Sequence, residues 1–194
     1  MKGHIIASLE EAAESLELFK KDKNSIIAIE KAANIAIATL KNGNTIFSCG
    51  NGGSMSDAIH FAEELTGRYR KNRPGLAATA ISDPGHISCV ANDFGYEYIF
   101  SRYMEAKSKK GDCLLAISTS GRSENVIRAV KYANKHGISS ISLTGVANSE
   151  LGKMSTVDIC ALGGLYADRV QELHIKIIHI LIELIERKFF PENY

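Results

Sequence analysis

Apolar residues recur at helical spacing through the first forty positions. Leu9, Ala12, Ala13, Leu16 and Phe19 share one face of a helix predicted over Ser8 to Phe19. Ile26, Ile29, Ala33, Ile37 and Leu40 share one face of a second, over Ile26 to Leu40, which Lys41-Asn42-Gly43-Asn44 ends. The period then changes. Short apolar runs read as strands at Thr45 to Cys49, Leu76 to Ile81, Asp112 to Ile117, Ile138 to Leu143 and Val157 to Leu162. Helical segments lie between or after them, from the 50–54 loop to about Leu65, from Glu124 to His136, and from about Tyr166 to Phe189. Strands alternating with helices predict an α/β fold, a three-layer sandwich around an about five-stranded parallel sheet of flavodoxin-like type, preceded by an N-terminal helical pair. The expected organisation is one domain over 1–194, with the helices in 1–42 and the parallel core in 43–194.

Composition narrows the class. The chain has 194 residues, 45% hydrophobic and 23% charged, which suits one globular domain with a real core. The formal net charge of +1 offers no broad basic field, so no nucleic-acid partner is expected. The N-terminus carries acids through its apolar positions and does not read as a signal peptide. No run of 18 apolar residues occurs, so no membrane span is expected. Cys49, Cys89, Cys113 and Cys160 contain no close pair. Cys49, Cys113 and Cys160 fall in apolar runs and read as reduced core thiols, which places the protein in the cytoplasm.

In a parallel sheet, ligands bind at the carboxyl ends of the strands, and two loops of small residues fall there. Ser118-Thr119-Ser120-Gly121-Arg122-Ser123 offers four hydroxyls and the free N–H groups of a helix start, a ready anion site. Without a Walker lysine, a sugar monophosphate fits better than a nucleoside triphosphate. Asn51-Gly52-Gly53-Ser54 lets a ligand approach the backbone. His60 and Glu64 share a helix face at i and i+4 and suit metal ligation or acid/base work, with Glu63 a competitor that spacing does not exclude. On the last helix stand Gln171, Glu172, His174 and His179, the last set among isoleucines and a leucine.

Five segments resemble the phosphoheptose isomerase family of the sugar isomerase (SIS) fold group: CGNGGS (49–54), DAIHFAEELTGRYRKNRPG (57–75), ISDPGHISCVANDFGYEYIFSRY (81–103), ISTSGRSENV (117–126) and YADRVQELHIKIIHILIELIE (166–186). The resemblance covers nearly the whole chain. It implies conversion of sedoheptulose 7-phosphate to D-glycero-D-manno-heptose 7-phosphate, the first step of ADP-heptose synthesis for lipopolysaccharide core. It further implies a homotetramer and one zinc per subunit held by His60, Glu64, Gln171 and His179. Substrate contacts would come from Asn51, Gly52, Gly53, His60, Glu64, Asn92, Asp93, Ser118, Thr119, Ser120, Ser123 and Gln171, with Glu64 the base and His179 the acid. Met55-Ser56 and the stretch from Val146 to Ser155 depart from the family pattern, at positions without a proposed role.

The rival is a non-catalytic SIS module that senses sugar phosphates or binds a replication initiator. The initiator-binding relative lacks the glutamate and histidine matching Glu64 and His179, which this chain retains. An arabinose 5-phosphate isomerase would be expected to run longer, and a dinucleotide-binding protein would carry GxGxxG. Gln171 and His179 are eight residues apart, about 12 Å along one helix with side chains turned roughly 80° apart. That separation predicts that the two serve different subunits, with active sites at subunit interfaces and the N-terminal helices in oligomerisation.

Overall fold

The computed structural model describes residues 1–164 and 166–194. Helix α1 (Lys2–Lys21) meets α2 (Lys23–Lys41) at Asp22. The Asp22 carboxylate accepts from the backbone N–H groups of Asn24 and Ser25, which turns the chain and caps α2. There follow β1 (Ile46–Gly50), α3 (Gly53–Thr66), β2 (Ala78–Ala80), α4 (Pro84–Asp93), a 3-10 turn at Tyr96–Tyr98 and α5 (Ile99–Lys107). The chain continues through β3 (Cys113–Ser118), α6 (Glu124–Lys135), β4 (Ser139–Thr144), α7 (Glu150–Met154), β5 (Val157–Cys160) and α8 (Ala167–Phe189).

The five strands are all parallel, in the order β2-β1-β3-β4-β5. This is the expected flavodoxin-like α/β sheet. The winding runs from β1 out to β2 and then returns across β1 to β3. The direction therefore reverses between β1 and β3, and the loops after these two strands splay apart into a crevice.

Alternation along the strands divides the core. Ile46, Leu115, Ile117, Ile141 and Leu143 face one side, against α1, α2, α3 and α8. Phe47, Cys49, Leu114 and Ala116 face the other, against α4, α5, α6 and α7. The N-terminal helices thus share a core with the sheet rather than standing apart.

The structure corrects several expectations. The second strand is three residues long, flanked by Ala77, whose carbonyl accepts from the Ile46 N–H, and by Ile81, whose N–H donates to the Ser48 carbonyl. Helices α4, α5 and α7 lie outside the expected elements: α4 buries only Val90, so it shows no apolar stripe, and α7 is five residues long. In α2 the buried stripe is Ser25, Ile29, Ala32, Ala33, Ala36 and Thr39, and Ile26 is 49% exposed. Small residues on that stripe let the helix approach the sheet closely, which the larger isoleucines would prevent. In α1 only Ser15 and Phe19 are buried, and Leu9 is 66% exposed. That helix is held along a narrow seam, where Arg169 of α8 donates to the Glu11 carboxylate and the Ser8 hydroxyl. Cys49 and Cys113 are fully buried, and burial pushes the Cys113 thiol up to about 12. Cys160 is only half-buried. Among the described residues no helix is long and apolar enough to cross a membrane.

His174 sits fully buried in α8 with Nε2 3.1 Å from the Thr144 carbonyl at the end of β4. Burial holds its pKa down at about 4, against an ordinary 6.5. The unfolded chain therefore takes up a proton below pH 6.5 that the folded chain refuses until about pH 4. This group's effect is a loss of stability as pH falls through that window, by about 3 kcal/mol. In His174→Gln, which keeps a donor for Thr144, that dependence should vanish. Denaturant melts at pH 4.5 and 7.5 check it: the wild-type advantage over the variant should be smaller at the lower pH.

Candidate active site

The crevice at the strand reversal is closed by side-chain bonds between its two loops. Asn51, just after β1, and Asn125, in the first turn of α6, exchange amide hydrogen bonds of 2.9 and 2.8 Å. The Tyr96 hydroxyl donates to the same Asn51 oxygen at 3.0 Å, tying in the segment that follows α4. Asn92 and Asp93 end α4, exposed and hydrogen-bonded to each other at 2.7 Å. The loop after β3 is held from beneath by the Gly145 N–H, which donates to the Thr119 carbonyl, and by the Leu151 N–H, which donates to the Gly121 carbonyl. Gly121 has φ +62°, and a Cβ there would stand 2.3 Å from the Ser149 Cβ. Only glycine fits that turn.

Ser123 is the N-cap of α6, yet its hydroxyl does not cap the helix. It pairs instead with the Ser118 hydroxyl at 2.9 Å. The Val126 N–H donates to the Asn125 side-chain oxygen at 3.0 Å, which leaves those of Glu124 and Asn125 at the open helix start, with Thr119 and Ser120 on the loop before it. Unused helix-start donors surrounded by hydroxyls are suited to an anion of phosphate's size.

Helices α3 and α8 lie on the same face of the sheet and pair along their lengths. At the start of α3, a Cβ on Gly53 would come within 2.5 Å of the Gln171 amide nitrogen, so glycine is needed for Gln171 to lie on the loop. Two turns on, His60 Nε2 is 3.1 Å from His179 Nε2 and 3.5 Å from Glu64 Oε1. Donors of a small tetrahedral dication at about 2.1 Å lie about 3.4 Å apart, close to both of the distances from His60. His60 and Glu64 also form a potential three-donor group with Glu63. His179 approaches the same histidine from α8. Its nitrogen faces that of His60 from a second helix, whereas Glu63 is exposed on their own helix.

Burial, and after it the neighbouring Glu63, raises the Glu64 carboxyl above the ordinary carboxylate value. Burial, and then the charges of His60, Lys176 and Arg70, lowers the His179 imidazole. Both groups are pushed toward their neutral forms, which brings a base and an acid closer together in strength. Asp57, one turn before His60, is raised to about 6 by burial, and its Oδ2 is buried without a partner.

The structure brings His60, Glu64 and His179 together within one chain. Asn51, Gly52, Gly53 and Gln171 gather at one loop, and Ser118, Thr119, Ser120 and Ser123 at the other. Gln171 and His179 do not converge: each contacts α3 at a different level. Reasoning from sequence missed Asn125, Tyr96 and Asp57. Asn125 carries only a faint signal, an amide at a helix start beside an apolar run. Tyr96 and Asp57 carry none.

The sequence model of the SIS domain matches residues 9–145. The chain is 54% identical over 184 residues to a phosphoheptose isomerase of Edwardsiella ictaluri, covering 95% of each chain. Its fold is similar to the solved phosphoheptose isomerase of Neisseria gonorrhoeae, with a TM-score of 0.88 and 33% identity over 95% of this chain and 98% of that one. That of Francisella tularensis gives a TM-score of 0.89 and 31% identity over 95% and 97%. Match across the whole length, together with the paired loops and the His60–Glu64–His179 cluster, leads to one conclusion: the chain belongs to the phosphoheptose isomerase family of SIS-domain proteins.

Proposed function

We propose that this protein isomerises sedoheptulose 7-phosphate to D-glycero-D-manno-heptose 7-phosphate, an aldose–ketose conversion that opens ADP-heptose synthesis for lipopolysaccharide core. The observation that carries the reading is the meeting of Glu64, His60 and His179 on α3 and α8, beside a crevice built for a phosphorylated sugar. The phosphate sits on the α6 start among Ser118, Thr119, Ser120 and Ser123. Asn51, Gly52, Gly53, Asn92, Asp93 and Gln171 orient the hydroxyl-bearing carbons.

Moving the carbonyl from C2 to C1 requires a proton to leave C1 and another to arrive at C2. Glu64 takes the C1 proton and returns it to C2 of the enediol. His179 gives a proton to O2 and accepts one from O1. His60 and Glu64 are 37% and 18% exposed, so a substrate reaches both. His60, Glu64 and His179 fit zinc, with Gln171 joining only from a neighbouring subunit because in its own chain it lies at the Gly53 loop. When bound, the metal stabilises negative charge on the enediolate oxygens. A dication also favours the deprotonated carboxylate and neutral imidazole, whatever their values without it.

The exposed apolar residues of the N-terminal helices, Ile5, Ile6, Leu9, Leu18, Ile26 and Ile27, support burial of residues 1–42 between subunits of a homotetramer. A cytoplasmic location accords with the four free thiols.

Incubation of purified protein with sedoheptulose 7-phosphate, read by appearance of the aldose, tests the function directly. No product from a folded, zinc-loaded protein would point to the non-catalytic SIS module instead. Glu64→Gln should fold normally and lose roughly 10²–10⁴-fold in kcat, because the amide keeps the shape and cannot take a proton. Near-normal turnover in that variant would shift the base to Glu63. Exhaustive chelation should abolish turnover, and zinc should restore it; a chelated enzyme running at full rate removes the metal from the reaction. Ser123→Ala, which strips one hydroxyl from the anion and orphans Ser118, should raise KM by roughly ten-fold or more with little change in kcat, in line with about 1.5–3 kcal/mol for a charged hydrogen bond. A fall in kcat at constant KM would place that hydroxyl at the reacting carbons.

A further inference from the structure

We propose that Arg73 is a positioning residue for the reaction: its buried guanidinium fixes the last turn of α3, which carries Glu64, against the face of α8 that carries His179. The proposal rests on the reading of Glu64 and His179 as the working pair. Arg73 follows the end of α3 in a run of basic residues, yet its side chain is 1% exposed. Nη2 donates to the Glu64 carbonyl at 2.6 Å, and Nη1 donates to the carbonyls of Leu65 at 2.7 Å and Gly67 at 3.1 Å. Nε donates at 2.6 Å to Glu186 Oε1, on a carboxylate that is 0% exposed. The second oxygen of Glu186 accepts from the Tyr194 hydroxyl at 2.9 Å.

These bonds answer a defect in α3. Helix carbonyls in the last turn have no partner within the helix, and the turn frays unless something supplies one. The usual remedy is a glycine in left-handed geometry just past the end, but Gly67 sits at φ −90°. The Glu64 carbonyl is therefore satisfied by Arg73 from the interior. The other end of the same guanidinium reaches Glu186, seven residues beyond His179 and so on nearly the same face of α8. One planar group thus sets both the height and the rotation of Glu64 relative to His179. Arg70 and Glu183 make a parallel link at 2.8 Å, but at 49% and 27% exposure it lies in solvent and constrains little. The hydrogen bonds of Arg73 go to Glu186 and to the carbonyls of Glu64, Leu65, Gly67 and Pro74, none of them in the loops 50–54 and 118–123, so its effect should fall on turnover and not on binding.

The test uses the full-length protein and three variants: Arg73→Lys, Glu186→Gln, and the double variant Arg73→Met with Glu186→Leu. The double variant replaces the buried ion pair with apolar side chains, an exchange that often leaves stability intact. For each, kcat and KM for sedoheptulose 7-phosphate are measured with the thermal midpoint and the visible absorption of protein loaded with cobalt(II) alone. The double variant should melt within a few degrees of wild type, keep KM within about two-fold, lose at least about 30-fold in kcat, and show altered cobalt bands. Arg73→Lys, which can reach Glu186 and one carbonyl but not all, should recover part of the rate. Glu186→Gln should retain the Glu64 contact and lose the least. A folded double variant with wild-type kcat and unchanged cobalt bands overturns the proposal, as does wild-type kcat in a folded Arg73→Lys protein should the double variant not fold. If instead wild type fails to isomerise the sugar phosphate, the functional reading falls and the cobalt bands alone judge Arg73.

Discussion

The parallel packing of α3 against α8 is the contact on which the site depends. Three contacts mark it along both helices: Gly53 with Gln171, His60 with His179, and the carbonyls at the end of α3 with Glu186 through Arg73. Seven residues return a helix to nearly the same face, as from Gly53 to His60 and from His179 to Glu186, while the eight from Gln171 to His179 turn it by roughly 80°. Beneath it, Ala58, Phe61, Ala62 and Leu65 of α3 and Leu173, Ile177, Ile178 and Leu181 of α8 are buried in one cluster. A shift of one helix by a single turn would keep much of that apolar burial and break the polar contacts of His60 with His179 and of Arg73 with Glu186. Apolar packing therefore holds the helices together, while the polar contacts choose the register.

The sheet divides the work between binding and chemistry. The proposed binding residues of the loops after β1 and β3 lie where the reversal of winding opens the crevice, and are held by Asn51–Asn125 and by Ser118–Ser123. The proposed reactive residues Glu64 and His179 sit on helix faces, where side-chain direction is fixed by the backbone rather than by a loop. The two sets meet at the start of α3, whose first residues close the binding loop and whose last turn carries Glu64. Gly53 and Gln171 form the joint between them.

Sequence pattern made most elements visible, since each strand and each long helix carries its own period. It did not give strand order, because parallel strands with similar apolar runs are interchangeable until crossovers are counted. Nor did it give the buried face of α2, where alanines outrank isoleucines because closeness of approach, not side-chain size, decides the packing. The i, i+4 spacing of His60 and Glu64 marks a shared helix face but leaves Glu63 as a competitor, and only the resemblance singles out Glu64. His179 was readable only through resemblance, since an imidazole among isoleucines looks like core. Arg73 was hidden for the opposite reason: beside Arg68, Arg70 and Lys71 it reads as one more solvated cation, and only the fold turns it inward.

That inward arginine bears on why the cluster tolerates so much polarity near a core. Glu64, Glu186 and Glu63 are like charges on neighbouring turns, and unbalanced they would push α3 and α8 apart. A guanidinium is the one side chain that can offer a carboxylate and several carbonyls donors in fixed directions at once, and it stays charged when buried. An ammonium at the same place would be a point charge, free to favour Glu186 and release the helix end. A left-handed glycine cap would satisfy the carbonyls but leave Glu186 buried and unpaired, at a cost of several kcal/mol. The geometry of the guanidinium thus solves two problems in one place: the open end of the helix that carries Glu64, and the charge that the neighbouring helix buries to meet it.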